Sequence, residues 1–186
     1  MKIVVTGHTQ GIGQTIFNHF MSKGHECIGY SRANGHDISD HAVQDKIVTE
    51  SSDADIFIHN AWHPTGQLEL LQKNCDAWKS KNKTIVNISS FIGDYLELNV
   101  DPMFQPYIES KRQIDDFCKD HVFKAETPWV VNLKPEIVET PFSDFLPGSK
   151  MSTADVVKIL DFIIEISPTI RITTIGFKTN RARDWS

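Results

Sequence analysis

Cysteine is scarce in this chain. Three residues among 186, Cys27, Cys75 and Cys118, are too few and too widely spaced for a disulfide framework. An odd, scattered set suits free thiols in a reducing compartment, so a cytoplasmic location is expected. No apolar stretch approaches the roughly 20 residues that a membrane-spanning helix needs. The best candidate, Ile159–Ile166, is interrupted by Asp161 and Glu165, and no signal-peptide pattern opens the chain. Positive charge is not in excess. A net charge of −5 removes the electrostatic basis for binding nucleic acid or an acidic membrane surface. Metal-ligand spacing is missing too. Of eight histidines, His59 and His63 stand four apart, but they straddle a strand end before Pro64 with no third ligand at a zinc-like interval. We therefore expect no metal, and histidines that lie at the surface or beside a ligand. With no repeat, low-complexity segment or linker, residues 1–186 read as one domain, long enough to bury a core.

What the chain does contain is alternation. Lys2–Thr6 is a short β-branched run bounded by glycine, the mark of a buried strand. Gly7-His8-Thr9-Gln10-Gly11-Ile12-Gly13 follows, then a helical pattern with Ile16, Phe17, Phe20 and Met21 on one face, closed by Gly24. Strand, glycine-rich turn and helix together place a pyrophosphate at a helix N-terminus, where free N–H groups and the macrodipole favour an anion. A glycine-rich turn without a ligand is the plainer reading of this segment alone. Further strands are expected at Glu26–Tyr30, Asp55–His59, Lys83–Ser89, Trp129–Lys134 and Arg171–Phe177. Helices are expected at Asp40–Ser51, Leu68–Lys81, Gln105–Val122 and Thr153–Ile166, the last opened by a Ser152 cap with Asp155 in its first turn. The pattern predicts an α/β fold: a single doubly wound, Rossmann-like parallel sheet with a reduced set of helices. Right-handed crossovers bring the glycine-rich turn, Asn60, Ser90 and Thr140 to one carboxyl edge.

Tyr107 and Lys111 stand four apart, seventeen residues beyond Ser90. On a helix that spacing puts both on one face, with Cβ atoms about 5–6 Å apart. A phenol titrates near pH 10, and a positive charge beside it favours the phenolate. A nearby serine hydroxyl can donate to a carbonyl or alcohol oxygen. The three groups suit moving a proton on and off an oxygen, although the pair alone also reads as an ordinary helix-surface couple.

In chain order stand Thr6-Gly7-x-x-x-Gly11-Ile12-Gly13, Asn60-Ala61, Asn87-Ile88-Ser89-Ser90, Tyr107-x-x-x-Lys111 and Pro135-x-x-Val138-x-Thr140. This series resembles the short-chain dehydrogenase/reductase family from Lys2 to about Phe177. The resemblance implies a nicotinamide cofactor and hydride transfer between it and a small carbonyl or alcohol substrate. By the same resemblance Tyr107 is the general acid/base, Lys111 lowers its pKa and holds the nicotinamide ribose, and Ser90 rather than Ser89 positions the substrate oxygen. The cofactor-binding set becomes Gly7, Thr9, Gln10, Gly11, Ile12, Gly13, Ser31, Arg32, Asp37, Ile38, Asn60, Ala61, Lys111, Pro135, Ile137, Val138 and Thr140. Ser31-Arg32 follows the second strand, with no acid to hold ribose hydroxyls. A hydroxyl and a guanidinium suit a 2′-phosphate, so NADP(H) is favoured, with NAD(H) as the alternative. Homodimerisation through the family's fourth and fifth helices is implied as well.

The chain also departs from the family. Only four residues separate Arg32 from Asp37, too few for a crossover helix, so the family's third strand is expected to be vestigial or absent. The family's relay asparagine falls near Trp62. Asn74 comes too late, leaving His63, Thr65 or water as substitutes, or a broken relay. Trp62 replaces a glycine beside the cofactor. Glu136 stands where a glycine is usual and could select substrate, point outward or disfavour an anion. Phe91–Pro106 is expected to shape the pocket with Phe91, Tyr95, Leu96, Met103 and Phe104, or simply to pack, under a short lid over Phe142–Lys150. Glu109, Asp115, Asp116 and Asp120 read as a solvated helix face. Two rival functions remain. An extended-branch epimerase needs a larger C-terminal domain than the 46 residues after Thr140 allow. A catalytically degenerate dinucleotide-binding sensor or scaffold is the other.

Overall fold

A computed structural model describes residues 1–94, 101–122, 124, 128–166 and 169–179. Its centre is a parallel six-stranded sheet: β1 (Lys2–Thr6), β2 (Glu26–Tyr30), β3 (Ile56–His59), β4 (Thr84–Ile88), β5 (Trp129–Pro135) and β6 (Thr174–Phe177), in the order β2-β1-β3-β4-β5-β6. That is the doubly wound order without the strand that would lie outside β2, as the short Arg32–Asp37 link requires, and with one further strand, β6, beyond β5. After β2 the chain makes only a 3₁₀ turn, Arg32–Asn34, before helix α2 (His41–Glu50) carries it across to β3 on the other side of β1. The strands are short apolar runs because helices cover both faces. Ile3, Val5, Ile58, Val86, Val131 and Leu133 face α1 (Gly11–Ser22) and α5 (Thr153–Ile166). Val4, Phe57, Ile85 and Val130 face α2, α3 (Gly66–Ala77) and α4 (Gln105–Val122).

Local chemistry sets the element ends. Helix α1 closes as expected at Gly24, whose φ of +79° lets its N–H reach Met21 while His25 N–H reaches Phe20. Helix α5 opens on a reciprocal cap, Ser152 Oγ donating to Asp155 Oδ2 at 2.7 Å and accepting from Asp155 N–H at 3.2 Å. Asp40 caps α2, its Oδ1 accepting from Ala42 N–H at 2.8 Å.

Four expectations are corrected. Met21 is half exposed, because the face of α1 against the sheet is filled by Gly13, Ile16 and Phe20. Asp115 is not on a solvated face. It is 4 % exposed and paired with Lys134 Nζ at 2.7 Å, a partner on β5. His59 is 1 % exposed, stacked on Phe57 at 4.3 Å between ring centroids, and His121 is likewise buried, so these two are core histidines. Helix α3 starts two residues before Leu68 and ends at Ala77. His63 Nδ1 accepts from Gly66 N–H at 3.0 Å and caps that early start. The three cysteines are free, Cys75 and Cys118 buried. Among the described residues no helix is long and apolar enough to cross a membrane, and no cluster of three or more His, Cys, Asp or Glu is arranged for a metal.

Candidate functional site

The glycine-rich turn is built by steric necessity. Gly13 belongs to the first turn of α1, and a Cβ there would fall far inside van der Waals contact with the Gly7 carbonyl oxygen and Asn60 Nδ2. Helix and strand therefore meet backbone to backbone. Gly7 itself has φ +71°, and a Cβ on it would lie 2.9 Å from Asn60 Nδ2. Asn60 holds this approach closed, Nδ2 donating to the carbonyls of Thr6 and Gly7 at 3.2 Å each. Thr6 Oγ1 accepts from the N–H groups of Asn60 and Ala61 at 3.0 and 3.1 Å. The N-cap Gln10 makes no side-chain cap bond and the first turn carries no acid. That leaves the Gly11, Ile12 and Gly13 end of α1 suited to an anion. Thr9 and Gln10 are exposed beside it. Thr140 closes the same turn from across the sheet, its Cγ2 lying 3.2 Å from where a Gly11 Cβ would sit. Leading to Thr140, Pro135 and Val138 are buried and Ile137 half-buried. Met151 N–H donates to the Ile137 carbonyl at 2.8 Å to pin the loop.

At the end of β2, Arg32 is exposed and Ser31 is buried. The Ser31 hydroxyl is committed to Asn34 Oδ1 at 3.3 Å, so of the expected pair only the guanidinium faces outward. Asp37 accepts from Ser39 N–H at 3.0 Å, and that bond, aided by the Arg32 charge, holds its carboxyl below the usual range. Ile38 is buried against α3, where a Cβ on Gly66 would collide with its carbonyl. Glu136 is directed to the end of β6, its Oε2 accepting from Thr179 N–H at 3.3 Å.

The serines after β4 diverge as neighbours on a strand must. Ser89 is buried and donates to Asp115 Oδ1 at 2.8 Å. The Ser90 hydroxyl lies beside the Tyr107 phenol and favours its ionised form. The Lys111 amine lies 5.4 Å from the centroid of the Tyr107 ring. Burial pushes the Tyr107 pKa up, partly opposed by Ser90. The net direction is therefore upward, where a charged Lys111 alone was expected to give a lowering. The lysine is itself buried, its pKa drawn down to about 7 by desolvation against the opposing charge of Asp115. Its amine donates to Gln67 Oε1 at 2.9 Å and to the Ile88 carbonyl at 3.1 Å. Gln67 was not selected by sequence reasoning, because the expected helix began after it. None of His63, Thr65 or Asn74 takes the relay position. His63 caps α3, Thr65 is its N-cap residue, and Asn74 Nδ2 meets His59 Nε2 at 3.0 Å.

The phenol is walled by rings. Trp62 stands edge-on at 5.3 Å and Phe142 tilted at 5.5 Å, and Trp62 Nε1 donates to Ser110 Oγ at 3.0 Å. Phe104 stacks on Phe145 at 5.8 Å, with Met103, Phe142 and Phe145 more than half exposed. Of the expected pocket wall, Tyr95 and Leu96 lie outside the described residues. A separate cleft of about 460 Å³, lined by Cys75, Asp76, Phe117 and His121 between α3 and α4, contains none of these groups.

The Lys111 titration has a consequence for stability. A lysine in an unfolded chain titrates near about 10.4. Above about pH 7 the folded chain has released a proton here that the unfolded chain still holds, so stability contributed at this site rises with pH. We expect the urea midpoint of the wild type to rise from about pH 7 to about pH 8 relative to that of Lys111→Met. The comparison cancels the buried thiols, whose raised pKa values act in the opposite sense. Identical slopes for the two proteins would contradict the burial argument.

No protein-family model matches the chain, and no curated protein sequence does. Solved structures match its shape. The 3-alpha-hydroxysteroid dehydrogenase from Pseudomonas sp. B-0831, complexed with NADH, superposes with a TM-score of 0.76 at 16 % identity, over 95 % of this chain and 94 % of that one. A 4-hydroxyisoleucine dehydrogenase complexed with NADH gives 0.76 at 17 % identity, over 95 % and 96 %. Serine dehydrogenase from Escherichia coli gives 0.74 at 16 % identity, over 95 % and 97 %. The chain thus has the fold of the short-chain dehydrogenases.

Proposed function

We propose that this protein is an NAD(P)-dependent oxidoreductase, a short member of the short-chain dehydrogenase/reductase family, acting between a nicotinamide cofactor and a small carbonyl or alcohol. The observation that carries the reading is the meeting of Ser90, Tyr107 and Lys111 at the sheet edge that also carries the glycine-rich turn. The fit to a dinucleotide rests on the α1 N-terminus, uncapped by any side chain, above the Gly7–Gly13–Asn60 cradle. Gly7 and Gly11–Gly13 would hold the pyrophosphate, Asn60, Ala61 and Thr140 the nicotinamide half, and Arg32 with Asp37 and Ile38 the adenosine half. The cofactor supplies or accepts the hydride. In the reducing direction Ser90 donates a hydrogen bond to the carbonyl oxygen, and Tyr107 gives that oxygen its proton as the carbon receives the hydride. The positive form of Lys111 stabilises the phenolate left behind. The apolar rim of Trp62, Phe104, Phe142 and Phe145 suits an apolar substrate body. Pairing of two copies through α3 and α4 belongs to the same proposal.

Titration with NADPH and NADH, followed through Trp62 fluorescence, tests the reading together with a carbonyl-reduction screen. NADPH is expected to bind the more tightly. Arg32→Ala should cost it about 10- to 100-fold, the worth of a charged phosphate contact, with NADH affinity almost unchanged. Equal losses for both cofactors would remove Arg32 from phosphate recognition, and binding of neither would end the oxidoreductase reading. Tight binding with no turnover of any carbonyl would favour a dinucleotide sensor, which the ring-covered phenol also suits.

A further inference from the structure

Behind Lys111 a chain of side-chain hydrogen bonds runs into the fold. Gln67 is fully buried, and its Oε1 takes the Lys111 amine at 2.9 Å. Its Nε2 donates to Asn87 Oδ1 at 3.0 Å and to the Ile88 carbonyl at 3.1 Å, the carbonyl that Lys111 also uses. Those acceptors decide which way the amide faces, since a flipped amide would aim its NH₂ at the amine and its oxygen at two oxygens. Asn87 Nδ2 then donates to Asn132 Oδ1 at 2.8 Å, and Asn132 Nδ2 to Asp115 Oδ1 at 2.7 Å. Every donor points the same way, from the amine toward the carboxylate. Aligned amide dipoles of this kind reinforce one another and favour positive charge at the donor end and negative charge at the acceptor end. Each member from Lys111 to Asp115 is no more than 4 % exposed, so water does not screen the chain.

We infer that Gln67 is a positioning residue that ties the Lys111 amine through Asn87 and Asn132 to Asp115, so that the interior of the fold sets the charge on Lys111. The consequence for turnover rests on the function proposed above, whereas the tie itself does not. The surroundings of the amine agree. On its own helix it faces the uncharged Tyr107 and, one turn on, Asp115. From α3 it meets Gln67 and from β4 the Ile88 carbonyl. On β3, His59 is kept neutral by burial, and on β5 the Lys134 charge is balanced by Asp115 and Asp94. Gly66 makes the arrangement possible. Without a Cβ it lets α3 start against the Ile38 carbonyl, two residues early, which turns Gln67 inward.

The test is an NMR titration of the Lys111 side chain in the wild type and in Gln67→Glu, Gln67→Met and Asn132→Ala. Gln67→Glu places an opposite charge on the amine and should raise its midpoint by about one unit or more. Gln67→Met removes one acceptor and should lower it. Asn132→Ala does not touch Lys111, yet by breaking the chain it should lower the midpoint as well. In turnover, Gln67→Met should reduce kcat about tenfold with cofactor KM nearly unchanged and should shift the pH profile with the NMR midpoint. A Lys111 midpoint that stays put in folded Gln67→Glu and Asn132→Ala proteins overturns the inference. Shifted midpoints in a protein without turnover would uphold the tie and reject the oxidoreductase reading instead.

Discussion

Replacing Tyr107 with phenylalanine should reduce turnover by about 10²- to 10⁴-fold while leaving cofactor affinity almost unchanged, the span typical of losing a positioned acid or base. The substitution removes one oxygen and keeps the ring that Trp62 and Phe142 pack against, so the fold has no reason to shift. Ser90 loses its phenol neighbour, and even a hydrogen bond there would be worth only about 1 kcal/mol, which cannot by itself account for two decades of rate. The measurement is kcat at saturating cofactor beside a dissociation constant from Trp62 fluorescence. Burial keeps the phenol protonated well above neutral pH, which matches a proton donor near pH 7. Full turnover in Tyr107→Phe would move the proton to water or another group and would take the central role away from this residue.

The second large effect is expected at Gly13. Gly13→Ala adds one methyl where the Gly7 carbonyl and Asn60 Nδ2 leave no room, so α1 must lift from β1. Lifting separates the helix N-terminus from the glycine-rich turn and pulls Asn60 off the carbonyls of Thr6 and Gly7. Overpacking of this kind costs about 1–3 kcal/mol or more in stability, and we expect dinucleotide affinity to fall by at least about 100-fold. Gly24 is the control. Its φ is +79° with nothing within 4 Å of an added Cβ, so Gly24→Ala should cost only the left-handed backbone penalty of about 1–2 kcal/mol and spare binding. Urea unfolding and cofactor titration of both variants separate space from conformation. A Gly13→Ala protein with wild-type affinity would show that the turn tolerates movement, and the cradle argument would fall.

Much of the architecture was legible because it is written in local chemistry. Glycines, caps and short apolar runs announce strand and helix ends within a few residues, and four residues between Arg32 and Asp37 could hold no crossover. The interior polar groups were not legible. Asp115 and Lys134 are charged residues, which surface statistics put outside, and they are buried as a pair across two elements, with Ser89, Asn132 and Asp94 completing their partners. Gln67 was hidden in the same way. Its role depends on where α3 begins, and that is decided by contact between Gly66 and Ile38, a tertiary fact with no periodic signature. The Tyr107–Lys111 spacing put both residues on one helix face. The balance of burial against charge that governs their protons needed the surrounding rings and carbonyls.

The six-stranded sheet has a further consequence at its margin. Among the described residues no strand lies outside β2, so one side of its backbone is a row of peptide groups on which another extended chain could add. Two side chains blunt that seam. Exposed Glu26 puts a charge at its start, and Asn34 Nδ2 occupies the Gly29 carbonyl near its end at 2.9 Å. An uncovered outer strand is thus open to unwanted association, and Glu26 and Asn34 limit it.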